Sequence, residues 1–212
     1  NYTLLLGSLA FYFIGTINAP YHFVLLIACM LVDFVVGLGI SRSKKHKKLL
    51  LVVGIVFHLI CLCTFKYAGF VISELNRLSE SFNFTANIIL PIGISFYTFQ
   101  GISYLIDVYR EDIEAEESLL CYCVYISMFE QLIAGPIVTY GQVQYDLHKR
   151  NIWFEDAPKG LGIFIFGLGL KVLLANPLGK LWAHALAIGF ESVSTPLAWM
   201  SIAAYSFQLY FD

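Results

Sequence analysis

Polar side chains recur at helical spacing in one apolar stretch of the chain, residues 89–110, which reads ILPIGISFYTFQGISYLIDVYR. At about 100° per residue, one face of a helix formed by this stretch carries Gly93, Gln100, Ser103, Tyr104 and Asp107. Amide, hydroxyl and carboxyl groups of this kind can hold water or a polar substrate. A central aspartate that faced lipid would cost roughly 2.5–3.5 kcal/mol, so this face must meet protein, water or substrate.

Two more segments carry similar groups. Near the end of the chain, Tyr205, Gln208 and Asp212 follow the spacing i, i+3, i+7, as three residues of the first face do. A third segment, LLCYCVYISMFEQLIAGPIVTY, contributes Gln131 and Pro136. These groups either bond one helix to the next, for about 0.6 kcal/mol each, or line a water-filled cavity within the membrane. Their occurrence in three segments favours the cavity. Its candidate lining consists of Gln100, Ser103, Tyr104, Asp107, Gln131, Pro136, Tyr205, Gln208 and Asp212.

Histidines and cysteines form no recognisable catalytic or metal-binding motif. His22, His58 and His184 lie in or near apolar segments, and none has an acidic, serine or cysteine neighbour at a spacing that builds a dyad. Two pairs of cysteines have C-x-C spacing, which differs from the C-x2-C spacing of zinc sites. We therefore expect structural histidines, small hydrophobic cysteines and no metal site. Nucleophile elbows, phosphate-binding loops and H-E-x-x-H are also absent from the sequence.

The composition places these segments in a membrane. Hydrophobic residues make up 58% of the 212 residues and charged residues 13%, whereas soluble domains carry about 25% charged residues. A helix needs about 20 apolar residues to cross about 30 Å of hydrocarbon. We predict an all-α bundle of membrane helices in one domain, residues 1–212, with crossings at about 2–17, 21–40, 49–72, 89–110, 160–176 and 196–212.

The basic loop SRSKKHKK, residues 41–48, sets the predicted orientation. Five of its eight residues are Lys or Arg, and short basic loops stay in the cytoplasm. We interpret the loop as an orientation signal rather than a site for nucleic acid or anionic lipid. The crossing that follows then runs outward, and residues 73–87 form an outer loop with a glycosylation sequon at Asn83.

The remaining charged residues are expected to reach water. The acidic run at 110–117 is interpreted as a solvated face at the cytoplasmic interface. Asp33 and Lys66 lie near the ends of their predicted helices, from which their side chains can reach the headgroups.

The segment 118–139 is predicted to enter and leave the membrane on the same side. A full crossing would place three basic residues outside, against the positive-inside tendency: Lys149, Arg150 and Lys159. The Gly-Pro pair of the segment would break a helix at membrane depth, which is tolerated where the backbone faces protein or a water-filled cavity. Pro177 is expected to end the crossing at 160–176.

Three motifs resemble successive signatures of the membrane-bound O-acyltransferase family. They are LPIGISFYTFQGISYLIDVYR at 90–110, QLIAGPIVTY at 131–140 and YSFQLYFD at 205–212. They are most similar to the branch that contains the membrane subunit of bacterial alginate O-acetylation. The intervening KGLGIFIFGLGLKVLLANPLGKL and the order of the motifs are similar as well.

The resemblance implies a bundle with re-entrant or broken helices around a central funnel or tunnel. It also implies transfer of an acyl group, usually acetyl, to hydroxyls of an extracytoplasmic polysaccharide at a bacterial plasma membrane. The donor would be acetyl-CoA or a carrier-linked acyl group, with no tightly bound cofactor. The implied partners are extracytoplasmic acetyl-handling proteins or a cytoplasmic acyl carrier, and no nucleic acid.

The same resemblance places the catalytic histidine in a Trp-His motif beyond the YFD signature, and hence beyond Asp212. We therefore expect the chain to be the N-terminal part of a larger protein and to be inactive alone. One departure from the family pattern is Glu130, which stands where relatives commonly have proline before the QLIAGP glutamine.

Two other functions stay open. D-alanyl transfer to teichoic acid is the nearest alternative within the family, although the QLIAGPI form, with Gln131 and Ile133, is closer to the acetylating branch. A transporter or polysaccharide-export component would use the intramembrane polar groups to bind a passing solute. Transporters often contain internal repeats, and none is visible in this sequence.

Overall fold

The computed structural model describes residues 1–78, 88–132, 135–149, 156–189 and 192–212. The sequon at Asn83, part of the predicted outer loop and Ile133 lie outside these residues. All regular structure in the described ranges is helical, which confirms the all-α prediction. The chain divides into two compact units, Asn1–Arg150 and Asn151–Asp212, and each is described by itself.

The first unit contains seven α-helices in its described residues. They are α1 (Tyr2–Gly15), α2 (Tyr21–Arg42), α3 (Lys47–Leu62), α4 (Ala68–Leu78), α5 (Ile94–Arg110), α6 (Leu119–Ser127) and α7 (Tyr140–His148). A π-helical segment, Cys63–Tyr67, joins α3 to α4, so that residues Lys47–Leu78 form one continuous helix.

The second unit contains α8 (Ala157–Gly169), α9 (Asn176–Ile188) and α10 (Thr195–Phe211) in its described residues. The prediction that Pro177 ends the crossing at 160–176 is wrong, because the helix continues from Ala157 to Ile188. A π-helical segment, Leu170–Ala175, precedes the proline and places it in the first turn of α9. Proline lacks the N–H that would continue the hydrogen-bond ladder, and the π-helical segment directly before it is a regular site of adjustment at which a continuous helix accommodates such a change.

Within the described ranges, three helices are long and apolar enough to cross a membrane. They are Tyr21–Arg42, Lys47–Leu78 and Ala157–Ile188. The two longer helices have 32 residues each, which corresponds to about 48 Å at roughly 1.5 Å per residue. Since the hydrocarbon layer is only about 30 Å thick, each of these helices must tilt or project beyond it.

Helix α5 forms the centre of the first unit and packs against α2, α3, α6 and α7. The prediction of one polar and one apolar face is only partly correct. Gln100 and Tyr104 are buried as expected, but Leu105, which lies on the apolar side, is also completely buried. Helix α5 is therefore surrounded by protein on several sides, and its polar groups meet other helices.

Both ends of α5 are set by residues with positive φ. Gly93 precedes the helix with φ 70°, and Glu111 follows it with φ 64°. The helix is therefore shorter than the predicted 89–110, because the left-handed conformation of Gly93 separates residues 89–92 from it. The Tyr12 hydroxyl donates a hydrogen bond to the Ile92 carbonyl oxygen over 3.2 Å. This bond holds residues 89–92 against α1.

The residues of segment 118–139 that the structure describes do not form a membrane-crossing helix. Helix α6 has nine residues, about 14 Å at roughly 1.5 Å per residue, which is less than half of the hydrocarbon thickness. After α6 the chain turns back, since the Tyr125 hydroxyl donates a hydrogen bond to the Val138 carbonyl oxygen over 2.9 Å. The described residues of this segment thus take the returning path that a re-entrant segment requires.

Candidate functional site

The structure brings together polar groups from two of the three predicted segments. Gln100 on α5 lies with its Nε2 3.4 Å from Oε1 of Gln131, which follows α6. One turn further along α5, Ser103 Oγ and Asp107 Oδ2 are 3.5 Å apart, and both residues are half-buried. Gln100 is itself almost fully buried, with 1% of its surface exposed. The chain after α6, up to residue 139, is called the returning segment below. These residues can position a polar ligand where the returning segment meets α5.

Tyr104 contacts the elements that follow α5. Its hydroxyl accepts a hydrogen bond from the backbone N–H of Glu116 over 3.0 Å. Its ring lies 4.7 Å from the ring of Tyr122 and 5.4 Å from that of Tyr140, measured between centroids. Tyr104 therefore links α5 to α6 and α7 as part of a buried tyrosine cluster.

A small apolar pocket of about 220 Å³ lies beside the returning segment. Its wall is formed by Ser95, Phe96, Phe99, Gly135 and Ile137. The predicted residue Pro136 is exposed next to this wall. The pocket can accommodate a small apolar group, and Gln100 and Gln131 lie outside its wall.

The polar residues of α10 surround a second cavity, within the second unit. This cleft has a volume of about 690 Å³, and Tyr205 and Gln208 contribute to its wall. The Tyr205 ring stacks on Trp182 with centroids 4.9 Å apart, and Gln208 packs over Gly179. Asp212 forms an ion pair with Lys171. Whether the groups of α10 and α5 share one cavity stays a prediction.

Sequence reasoning missed a buried pair formed by Asp33 on α2 and His58 on α3. His58 Nε2 lies 2.5 Å from Asp33 Oδ1, and both residues have 0% of their surface exposed. The expectation that Asp33 reaches the headgroups is therefore wrong, and His58 has an acidic partner in space that sequence spacing did not reveal. The two positions are 25 apart in the sequence and a loop lies between them, so their proximity has no sequence periodicity to reveal it.

The Asp33–His58 pair lies at the contact of three helices. Gly101 of α5 faces it so closely that a Cβ atom there would overlap Asp33 Oδ2. His58 Nδ1 is buried without a hydrogen-bond partner among the described residues. The pair can share a proton and join α2 to α3, and the absence of a side chain at position 101 lets α5 approach it.

Glu116 is a second buried acidic residue, and the expectation of a solvated acidic run is wrong at this position. It is 4% exposed, and its carboxylate accepts hydrogen bonds from Tyr140 Oη and from the Ser118 backbone N–H. His148 Nε2 lies 2.7 Å from the same carboxylate. Burial alone would raise the pKa of Glu116, but the hydrogen bonds from Tyr140, Ser118 and His148 outweigh burial and lower it.

Curated proteins with similar sequences are named O-acetylases or O-acetyltransferases. The chain is 35% identical to the probable alginate O-acetylase AlgI of Pseudomonas aeruginosa over 100% of its own length. It is 34% identical to the protein of that name from Azotobacter vinelandii, again over its whole length. It is 33% identical, over 99% of its length, to the peptidoglycan O-acetyltransferase of Helicobacter pylori.

The chain spans 41%, 43% and 44% of the lengths of these three relatives. No family model matches the chain, and no solved structure matches it. Its similarity to the relatives nevertheless covers all three signature motifs in order. The chain is therefore similar over its whole length to the alginate O-acetylases, and this similarity supports its resemblance to the membrane-bound O-acyltransferase family.

Proposed function

We propose that this chain is the membrane framework of an O-acetyltransferase that modifies hydroxyls of an extracytoplasmic polysaccharide. The observation that carries the proposal is the 32–35% identity, over the whole chain, to proteins named for O-acetyl transfer to alginate or peptidoglycan. Three membrane-length helices support it, because an enzyme with a membrane-crossing framework can join a donor on one side to an acceptor on the other.

In this proposal the chain positions the substrates, and the family's catalytic histidine carries out the proton transfer. An acceptor hydroxyl is a weak nucleophile until a base removes its proton, and a histidine is suited to that task. The family resemblance places that histidine beyond Asp212. Gln100 and Gln131, joined where α5 meets the returning segment, would then orient the acceptor or the acyl carbonyl.

The proposed donor is acetyl-CoA or a carrier-linked acetyl group, without a tightly bound cofactor. The basic loop at 41–48 would lie in the cytoplasm, because such loops resist translocation. Lys47 forms an ion pair with Glu111, which brings the loop and the segment after α5 to the same end of the first unit. The donor would approach from this end and the polysaccharide from the opposite one, at a bacterial plasma membrane.

Deletion of the encoding gene tests the proposal. Ester-linked acetate would be measured on purified exopolysaccharide and on purified peptidoglycan from the deletion strain, the parent strain and a complemented strain. We expect loss of acetate from one polymer and its return on complementation. Unchanged acetate on both polymers, with reduced export of either, would favour the transporter function, and loss of D-alanine from teichoic acid would favour the D-alanylating branch.

A further inference from the structure

A second cluster of reactive side chains lies at the cytoplasmic end that we propose for the first unit. Glu116 precedes α6, Cys121 lies in its first turn, and His148 ends α7. One carboxylate oxygen, the sulfur and one ring nitrogen all lie within 4.8 Å of one another. The three residues are separated by up to 32 positions, so the fold rather than a sequence motif brings them together.

The donor atoms of this cluster match a borderline-soft divalent cation. Thiolate, imidazole and carboxylate are the three ligand types of zinc sites, whereas magnesium and calcium prefer oxygen alone. Tetrahedral zinc would hold its ligand atoms about 3.3–3.8 Å apart. The cluster therefore needs a contraction of about 1 Å at its widest. His148 Nε2, 2.7 Å from Glu116 Oε2, must at the same time move about 0.6 Å away from that oxygen. His148 is the ligand that can move, because 46% of its side chain is exposed at the end of α7.

Neighbouring groups orient the first two ligands. The Tyr140 hydroxyl and the Ser118 backbone N–H donate to the carboxylate of Glu116, which fixes its position. The Asn1 side-chain amide lies 3.4 Å from Cys121 Sγ and donates to the Leu147 carbonyl oxygen. Such outer contacts hold metal ligands in place in known sites. They would do so here even though the sequence contains no zinc motif.

The cluster also has an entrance. A polar cavity of about 380 Å³ opens onto Glu116 and His148, and Glu114, Glu117 and Gln144 form part of its wall. Acidic walls attract cations. The cavity leaves room for a water molecule as a fourth ligand.

We propose that Glu116, Cys121 and His148 bind a zinc ion, with a ligand from the adjoining cavity completing the coordination. The ion joins the segment after α5 to α6 and α7, at the end of the first unit that carries the basic loop. The three ligands are different residues from Gln100 and Gln131, which are proposed for acyl transfer. Its function is to hold the returning segment in position by a link that depends on the metal.

Cadmium and zinc titrations of the complete protein, purified in detergent and stripped of metal with a chelator, test the site. We expect Cd²⁺ to give an ultraviolet thiolate charge-transfer band and Zn²⁺ to raise the melting temperature. Cys121→Ser should abolish the band, and His148→Gln should weaken Zn²⁺ binding at least tenfold in chelator competition. Cys123→Ser is the matched control, because this cysteine lies on the same helix outside the cluster and should leave both signals unchanged.

The outcomes separate metal binding from a hydrogen-bonded cluster alone. If the parent protein gives no band, or if Cys121→Ser keeps both the band and the zinc stoichiometry, the site does not exist as proposed. Melting curves without metal show whether the variants fold. If Cys121→Ser does not fold, zinc binding by His148→Gln tests the site instead, because a substitution at this half-exposed position should not prevent folding. O-acetylation need not be measured, so failure of the proposed function leaves the test valid.

Discussion

The Asp33–His58 pair is the most strongly buried ionisable pair among the described residues, and its energy depends on both partners being present. Removal of one partner from a buried pair costs about 3–5 kcal/mol, because the other is left without compensation, whereas replacement of both by apolar residues is often neutral. The ordinary hydrogen bond between membrane helices contributes only about 0.6 kcal/mol. The pair should therefore stand out clearly in stability measurements.

We predict that His58→Leu destabilises the complete protein by about 3–5 kcal/mol, since it leaves Asp33 buried and unpaired. The double variant Asp33→Leu/His58→Leu should recover a large part of this loss. Unfolding in detergent, followed by circular dichroism, measures both. His184→Leu, at an exposed position on α9, is the control with little expected effect. Equal destabilisation by the single and double variants would show that the pairing itself contributes little.

Gly101 supplies a steric test of the same pair. A Cβ atom at this position would overlap Asp33 Oδ2 and lie 2.8 Å from His58 Nε2. We predict that Gly101→Ala destabilises the protein by about 1–3 kcal/mol, the usual cost of overpacking. The matched control is Gly162→Ala on α8, where nothing lies within 4 Å. That change should be neutral or slightly stabilising, because alanine favours helices over glycine by about 1 kcal/mol. Thermal unfolding of both variants decides between these outcomes.

Gln100 allows a test of the proposed substrate-positioning contact. We predict that Gln100→Leu lowers O-acetylation by the complete protein by up to about 100-fold, the cost of losing precise substrate position. Ile106→Leu, at a half-buried position on the same helix outside the pocket wall, should retain most of the activity. Acetate incorporated into polymer by membranes with equal amounts of each variant is the measurement. A fully active Gln100→Leu enzyme would remove this residue from the site.

Sequence patterns identified candidate site residues where polar side chains stand within an apolar segment. They failed where two residues meet only through the packing of separate helices. Gln100 and Gln131 were identified from polar groups within apolar segments, and the structure places them together. The partnership of His58 with Asp33 depends on how α2 packs on α3, which no local period records. The sequence did contain one signal for this pair. Asp33 is an ionisable residue within a predicted crossing, and such a residue requires a partner inside the membrane.

At the scale of elements, Gly93 determines where α5 begins. Its φ of 70° is readily adopted only by glycine, and a Cβ atom would lie 2.6 Å from the Leu132 carbonyl oxygen. We predict that Gly93→Ala costs about 2–4 kcal/mol, as backbone strain and overpacking add. Hydrogen exchange should become faster in the first turn of α5.

Gly189→Ala is the control for backbone strain alone, because Gly189 has φ 87° and nothing within 4 Å of an added Cβ. It should cost about 1–2 kcal/mol. If Gly93→Ala lowers the free energy of unfolding no more than Gly189→Ala does, the contact with Leu132 contributes nothing measurable. The effect then comes from the backbone conformation alone.

Helix boundaries were predicted best where the apolar period and the end signals agree. The crossings near the start of the chain match α1 and α2 within a few residues. The helix through Pro177 was missed because proline is usually read as a stop, while the π-helical segment before it absorbs the change. Helix α7 was not predicted, because its mixed polarity has no membrane-length apolar run.

At the scale of the whole molecule, the proposed orientation determines which groups can meet the donor and which the polysaccharide. The ion pair between Lys47 and Glu111 ties the basic loop to the segment that contains Glu116. Both must therefore lie on the same side of the membrane. Helix Lys47–Leu78, with 32 residues, is long enough to reach the other side.

We predict that a cysteine introduced at Lys45 is protected from a membrane-impermeant maleimide in intact cells, whereas one introduced at Leu78, which is 82% exposed, is labelled. The reason is that translocating the cluster of basic side chains is unfavourable, so the loop stays inside and the continuous helix carries Leu78 outward. The five native cysteines are first replaced by serine or alanine, and permeabilised cells, in which both positions should react, give the control. Labelling of the Lys45→Cys variant in intact cells would invert the orientation. The segment around Glu116 would then face the polysaccharide side, and a cytoplasmic donor could no longer approach from that end.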